Sequence, residues 1–262
     1  MVIACTSLES PSKLDPRLWV PDRHEGRWVL NLYPDAREAG GCFVGAKRAG
    51  NPWGPRGLEA DPERSAAEGQ RRARGQIRRY CAANQLNRLG TLTYQPPYCR
   101  DAGAVRGHAG VFFRRLRRRT GPLAYLWVPE LHADGERYHV HFAVGRYVHW
   151  TWIRDDWSHG FIHIKLIGDL PVGSGPVAEG RVAARYLGKY VGKALVGGPA
   201  GRHRYEVGQG FRPRVRQIVG RSEEEVLAIA AERMGEDPEY VWDSAGDETW
   251  AGPPAVWASW AG

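Results

Sequence analysis

Lysine is scarce in this chain: five lysines stand against 32 arginines among 262 residues. Cysteine is also rare, and none of the four cysteines belongs to the C-x-x-C pair that a zinc ribbon needs, so we expect free thiols. No apolar run approaches the roughly 18 residues of a membrane span. The first residues also lack the basic start and apolar stretch of a secretion signal. These absences predict a cytoplasmic protein that makes no use of a membrane.

Charge is distributed unevenly along the chain, although the net charge is only +8. Residues 64–119 contain 14 arginines and two acidic residues, whereas residues 223–248 contain ten acidic residues and one arginine. A basic body with an acidic end predicts a polyanionic partner, with a solvated arginine-rich surface as the alternative. The arginines that we expect to contact a nucleic acid are Arg71, Arg72, Arg78, Arg79, Arg114, Arg115 and Arg118.

The order of the predicted elements is helix, strand, helix, β-hairpin, short helix, strand and helix. This order predicts an α+β fold with a central, mostly antiparallel β-sheet flanked by helices. We expect three parts: an N-terminal extension over residues 1–60, the main domain over residues 61–200, and a helical, acidic C-terminal extension over residues 201–262.

A candidate metal site lies in the predicted hairpin. His139 and His141 are two residues apart in a strand, so both imidazoles project from the same face. Asp134-Gly135 between two alternating runs is a strong hairpin signal. If these two residues form the turn, Glu130 lies directly opposite His139 and diagonal to His141. One carboxylate and two imidazoles therefore converge.

Two alternatives qualify this interpretation of the hairpin. His132 shares the same face and is the competing ligand, although it is diagonal only to His139. The two histidines could also be an ordinary core or surface pair with no metal. If an ion binds, two imidazoles and one carboxylate with open positions suit Mn²⁺, with Mg²⁺ as the other choice.

The segment 184–194, ARYLGKYVGKA, repeats one unit of four residues. On a helix Tyr186 and Tyr190 share a face one turn apart, and Lys189 and Lys193 lie on the same side. A tyrosine can attack a phosphodiester, and an adjacent lysine can stabilise phenolate character. A packed helix with tyrosines facing the core is the alternative. Gly188 and Gly192, nearly opposite the tyrosines, predict close approach of another backbone, because each glycine weakens a helix.

These motifs together resemble the HUH endonucleases, in particular the rolling-circle replication initiators of plasmids and single-stranded-DNA phages. In order, they are TLTY (91–94), HVH (139–141) with an upstream acidic residue at 130, and YLGKYVGK (186–193). The flanking runs RRYCAANQLNRLGTLTY and WVPELHADGERYHVHFAV look like actinobacterial replication proteins. The resemblance covers about residues 70–196.

The resemblance implies a metal-dependent enzyme that nicks and rejoins single-stranded DNA at an origin hairpin through a phosphotyrosine. It implies Tyr190 as the safer nucleophile, because single-tyrosine members match only the second unit. It also implies a tyrosine helix lying across the sheet that carries the histidines. The sequence has no G-x-x-x-x-G-K-[ST] motif, so we expect a host helicase and polymerase as partners.

Two other functions stay open at this point. A transposase with paired tyrosines would use the same chemistry on different DNA ends. A non-catalytic nucleic-acid binding module could share the basic helices and the sheet, and an assay for a covalent protein–DNA adduct separates it from the enzymes.

Overall fold

The structure is a computed structural model that describes residues 26–45, 62–167, 174–193, 205–250 and 252–262. For residues 62–66, 192 and 193 it describes the backbone and not the side chains. Within these ranges, none of the helices combines the length and the apolar character that crossing a membrane requires.

The described residues form ten strands and five α-helices. The strands are β1 Arg27–Tyr33, β2 Glu38–Val44, β3 Arg88–Tyr94, β4 Tyr125–Leu131, β5 Tyr138–Val144, β6 Gly160–Leu166, β7 Glu206–Val207, β8 Arg216–Gly220, β9 Tyr240–Asp243 and β10 Ala255–Ser259. The helices are α1 Pro62–Ala83, α2 Ala102–Thr120, α3 Trp150–Asp156, α4 Pro176–Lys193 and α5 Glu223–Met234.

The first sheet has the strand order β6-β3-β5-β4-β7, and its strand pairs are antiparallel. Alternate residues of β5 face opposite sides of this sheet. Val140 and Phe142 pack with the buried residues of α2 and with Ile153 of α3. Ala143 packs on the other side, with buried residues of α1 and α4. His139 and His141 share the orientation of Ala143, so the histidines face the helix that carries the tyrosines.

The ends of the described chain build a second antiparallel sheet, in the order β8-β1-β2-β10-β9. Helix α5 covers it through Val226 and Ala230, which pack against Leu30 and Ile218. Trp260, near the C-terminus, is fully buried in the same cluster. The α+β class with antiparallel sheets is confirmed, whereas this second sheet was not foreseen. The predicted boundaries near residues 60 and 200 stay predictions, and residues 1–25 and 46–61 lie outside the described ranges.

A buried carboxylate joins the second sheet to the helices of the first. Glu38 of β2 is fully buried and accepts hydrogen bonds from Arg78 and Arg79 of α1, at 2.7 Å from Arg78 and 3.3 Å from Arg79. Arg181 of α4 donates to the backbone carbonyls of Arg37 at 2.9 Å and Trp260 at 3.1 Å. A buried charge needs such partners, so these contacts hold the two sheets in one arrangement.

Helices α1 and α4 approach each other closely at Gly180. A Cβ at Gly180 would lie 2.5 Å from the carbonyl oxygen of Cys81, whereas one at Gly188 would meet only the side chain of Arg74, at 3.8 Å. The close approach predicted for Gly188 is therefore wrong, and Gly180 is where a neighbouring backbone requires glycine.

This pair of glycines gives a stability prediction with opposite signs. In Gly180→Ala, overpacking should lower the free energy of unfolding by about 1–3 kcal/mol. The better helix propensity of alanine should offset about 1 kcal/mol of that loss. Gly188→Ala should stabilise it by up to about 1 kcal/mol, because nothing must move. Urea unfolding of both variants measures the two effects, and equal shifts in the same direction would contradict the packing at Gly180.

Candidate functional site

The hairpin between β4 and β5 has the register predicted from the sequence. Glu130 pairs with His139, and Val128 pairs with His141. The turn itself is longer than two residues. The amide of Gly135 donates to the carbonyl of His132, at 2.9 Å, so Ala133 and Asp134 are the central residues and Gly135 follows with a φ of +72°. The predicted two-residue turn and the observed longer connection between the strands are both centred between Asp134 and Gly135. The strand register is therefore the predicted one.

The three predicted ligands meet at one point. The Oε2 atom of Glu130 lies 2.8 Å from Nε2 of His139 and 2.8 Å from Nε2 of His141. The two Nε2 atoms are 2.7 Å apart. All three side chains are at most 11% exposed. Two imidazoles and one carboxylate with their donor atoms directed at one another fit a divalent ion with open positions.

Thr91 of β3 supports the cluster from the neighbouring strand. Its hydroxyl lies 3.1 Å from Nδ1 of His141, its direct partner in the sheet. If Nε2 of His141 holds a metal ion, Nδ1 would carry the proton and donate a hydrogen bond to this hydroxyl, which would fix the tautomer and the ring orientation. The sequence analysis placed Thr91 in a motif but assigned no role to its hydroxyl. The contact of Thr91 with His141 depends on which strand lies beside β5, and the sequence does not specify that.

Both tyrosines of α4 pack on His141. The Tyr190 ring lies parallel to the imidazole with 3.9 Å between centroids, and the Tyr186 ring meets it edge-on at 5.6 Å. The Tyr186 hydroxyl lies 3.4 Å from Nδ1 of His141, on the side of the ring away from the cluster. The two tyrosine rings contact each other at 5.2 Å. The tyrosine helix therefore crosses the histidine strand, as the resemblance implied.

Burial raises the pKa of the Tyr190 phenol, and Tyr186 and the negative charge of Glu130 raise it further. The Tyr190 phenol therefore interacts electrostatically with the carboxylate of the cluster. Without a cation the phenol stays protonated at neutral pH. A cation held by the three ligands would offset the charge of Glu130 and favour the phenolate.

Lys189, the first lysine of the repeat, lies beside arginines. Lys189 is exposed and lines a groove with Arg74, Arg181 and Arg185, so the structure places it beside arginines. The side chain of Lys193 lies outside the described residues, and its role beside Tyr190 stays a prediction. The competing ligand His132 makes an edge-on ring contact with His139, with 4.3 Å between centroids, and is not one of the three clustered residues.

The arginines predicted to contact DNA fall into two groups. Arg78 and Arg79 are half-buried and hold Glu38. The others are exposed: Arg71, which stacks on Trp250 at 4.5 Å, Arg72, which pairs with Glu68 at 3.7 Å, Arg114, Arg115 and Arg118. Charge density in a sequence does not distinguish an arginine that neutralises a buried carboxylate from one that faces solvent. Contact of these arginines with DNA stays a prediction.

Thr91→Val should weaken Mn²⁺ binding about 10- to 100-fold, because loss of the hydroxyl frees the His141 ring to turn and to change tautomer. Thr93→Val is the matched control, since Thr93 is two residues along the same strand and face, and its hydroxyl makes no hydrogen bond to a described residue. Isothermal titration calorimetry with Mn²⁺ measures both variants. Equal affinities in the two variants would remove the orienting role of Thr91.

Residues 87–195 match the family model of the replication-associated protein ORF2. The matched segment is less than half of the chain. It runs from just before β3 to just past α4, so it contains Thr91, the three clustered ligands and both tyrosines. No curated protein and no solved structure shows a significant match to the chain. The similarity to this family supports a replication initiator.

Proposed function

We propose that this chain nicks and rejoins single-stranded DNA at a specific site, through a 5′-phosphotyrosine, to initiate rolling-circle replication. The observation that carries the proposal is the packing of Tyr190 on His141, one of the three clustered ligands. A nucleophile and a metal cluster meet on a segment that matches a replication-associated family.

Glu130, His139 and His141 would hold a divalent ion, Mn²⁺ or Mg²⁺, through Oε2 and the two Nε2 atoms. A bound ion would make the scissile phosphorus more electrophilic and neutralise charge on the phosphate oxygens. The protein's own contribution is a pre-formed set of donors. The hairpin brings the carboxylate opposite the imidazoles, Thr91 orients His141, and the three ligand side chains are at most 11% exposed.

Tyr190 supplies the nucleophile in this mechanism. Its phenolic oxygen loses a proton to solvent or a base and bonds to phosphorus, while the bond from phosphorus to the 3′-oxygen breaks. The 3′-oxygen takes up a proton and leaves as a free hydroxyl. The phosphotyrosine conserves the bond, so a 3′-hydroxyl can attack it later and rejoin the strand. Tyr186 would allow a second transfer while Tyr190 holds the first 5′ end.

A cavity next to Tyr186 supports binding of an unpaired strand. It has a volume of about 270 Å³ and is lined mainly by apolar atoms of α4 and of the β3 and β6 strands, with His163 and Lys165 at its edge. Phe161 and His163 are exposed on β6, at the edge of the sheet. Aromatic and basic side chains beside an apolar cavity suit stacked bases and their phosphates.

A nicking assay tests the proposal. End-labelled single-stranded oligonucleotides from a broad pool are incubated with the full chain and Mn²⁺, and denaturing electrophoresis detects protein that carries labelled DNA. We expect a covalent adduct that EDTA prevents. Failure to form any adduct across the pool would reject the enzyme and favour a non-catalytic binding module. Sequencing of the trapped DNA would identify the origin, and the same proposal assigns helicase and polymerase to the host.

A further inference from the structure

A second basic site lies beside α4, away from the tyrosines. It is a groove with a volume of about 490 Å³ between α1, α4 and β10. Arg74 and Arg78 of α1 and Arg181, Arg185 and Lys189 of α4 line it, and the described lining contains no acidic side chain. We call this set of residues the basic groove. It also contains Ala184, Gly188, Trp257 and Ser259, whose small or flat side chains keep it open.

Most of the charge in the basic groove is available to a ligand. Arg74, Arg185 and Lys189 are exposed and make no ion pair with any residue that the structure describes. Arg181 is held by backbone carbonyls, which orient the guanidinium without cancelling its charge. Burial lowers its pKa despite the opposing charge of Glu38, and the like charges of Arg78 and Arg37 lower it further. Cations that repel one another in a shared groove attract a polyanion.

The cations are arranged in rows. Arg181, Arg185 and Lys189 follow one another at intervals of four residues along α4, and Arg74 and Arg78 have the same interval on α1. Four residues advance a helix by about 6 Å. Two rows of cations at this interval fit a chain of phosphates with comparable spacing better than one isolated anion.

The floor of the basic groove offers a hydroxyl and an aromatic ring. Ser259 is only 8% exposed, and its hydroxyl makes no hydrogen bond within the described ranges. The guanidinium of Arg78 stacks on Trp257 at 4.6 Å while its nitrogens bind Glu38. Because Ser259 lines the groove, its hydroxyl can bond a polar ligand there.

We propose that the basic groove is a second DNA site, which holds the phosphodiester backbone of the strand whose scissile phosphate reaches the tyrosines. The choice of DNA among polyanions rests on the function proposed above. Arg185 and Lys189 directly precede Tyr186 and Tyr190, so one helix presents the nucleophiles to one region of the strand and cations to another. The groove adds affinity and does not take part in the chemistry.

The test measures binding of a labelled single-stranded oligonucleotide pool by fluorescence anisotropy, with the full chain in EDTA at several salt concentrations. The double variant Arg74→Gln/Arg185→Gln should bind about tenfold more weakly at low salt. The logarithm of the binding constant falls with the logarithm of the salt concentration. The slope of this line should become shallower by about 0.7 for each phosphate that the variant no longer neutralises. Thermal unfolding monitored by circular dichroism checks that the variant, which changes two exposed side chains, stays folded.

The double variant Arg212→Gln/Arg233→Gln is the matched control. Both residues are exposed, lie outside the basic groove and make no ion pair within the described part of the chain, so the loss of net charge is the same. We expect binding within about twofold of the wild type, as is usual for a non-contacting charge. Equal binding and equal salt slopes in the two double variants would overturn the groove as a DNA site.

Three further results separate the groove from its alternatives. Absence of the covalent adduct with Mn²⁺ in both the wild type and the groove variant would reject the nickase, while weaker DNA binding by the groove variant would still support the groove. Displacement by inorganic phosphate, beyond that by chloride at equal ionic strength, would instead make it a free-phosphate site. Selective loss of polyglutamate binding would make it a site for an acidic protein.

Discussion

Glu130→Gln should abolish nicking and reduce Mn²⁺ binding below detection, while binding of single-stranded DNA in EDTA stays within about twofold of the wild type. Glu130 Oε2 lies 2.8 Å from both histidine nitrogens. The amide keeps the shape of the side chain but removes the only carboxylate of the cluster. We expect at least about a 1000-fold loss of rate, which corresponds to about 4 kcal/mol of transition-state stabilisation.

Glu136→Gln is the control for this experiment. It removes one carboxylate from the same hairpin, but Glu136 is exposed and its contact is an ion pair with Arg100 at 3.2 Å. Exposed pairs contribute little, so nicking should be unchanged. His141→Gln should behave like Glu130→Gln. Full nicking by the wild type in excess EDTA would contradict the metal site as the source of activity.

Tyr190→Phe should eliminate the covalent adduct, a loss of at least about 1000-fold in rate, because phenylalanine has no nucleophilic oxygen. The geometry ranks Tyr190 ahead of Tyr186. Tyr190 stacks on His141, with 3.9 Å between the ring centroids. The Tyr186 hydroxyl instead lies beside Nδ1 of His141, away from the ligand atom Nε2. Tyr186→Phe should therefore retain the first cleavage and lose only a second transfer.

The readout is the labelled adduct on denaturing gels, followed by peptide mapping of the modified tyrosine. Tyr147→Phe is the control, since Tyr147 is 65% exposed and makes an edge contact with His149 far along the chain from α4. An adduct that survives in Tyr190→Phe and disappears only in Tyr186→Phe would reverse the order of the two tyrosines.

The hairpin shows why the ligand cluster could be predicted. The contact of Glu130 with His139 depends on strand alternation and on a turn centred between Asp134 and Gly135, and both are local. Even the longer turn left this centre unchanged. The shared face of Tyr186 and Tyr190 followed from helix geometry in the same way.

Contacts between distant segments could not be predicted in this way. Arg78 and Arg79 belong to a run of basic residues, yet the fold commits them to the buried carboxylate of Glu38, 40 and 41 residues earlier. Gly188 looked like the point of close approach, but the crossing of α1 and α4 places it at Gly180. Such contacts depend on how whole helices and strands pack.

The sequence by itself determined the α+β class, the hairpin register, the cluster of Glu130 with two histidines, and the helix with two tyrosines. Each depends on periods of two or 3.6 residues and on turns that a short stretch encodes. Only the tertiary structure decided that Tyr190 stacks on His141, that Thr91 supports that histidine, and that residues 27–44 and 216–259 share a sheet. The tertiary structure also decided that Lys189 lies in one groove with arginines of α1. The face of a helix that contacts a neighbouring helix depends on the packing of the whole domain.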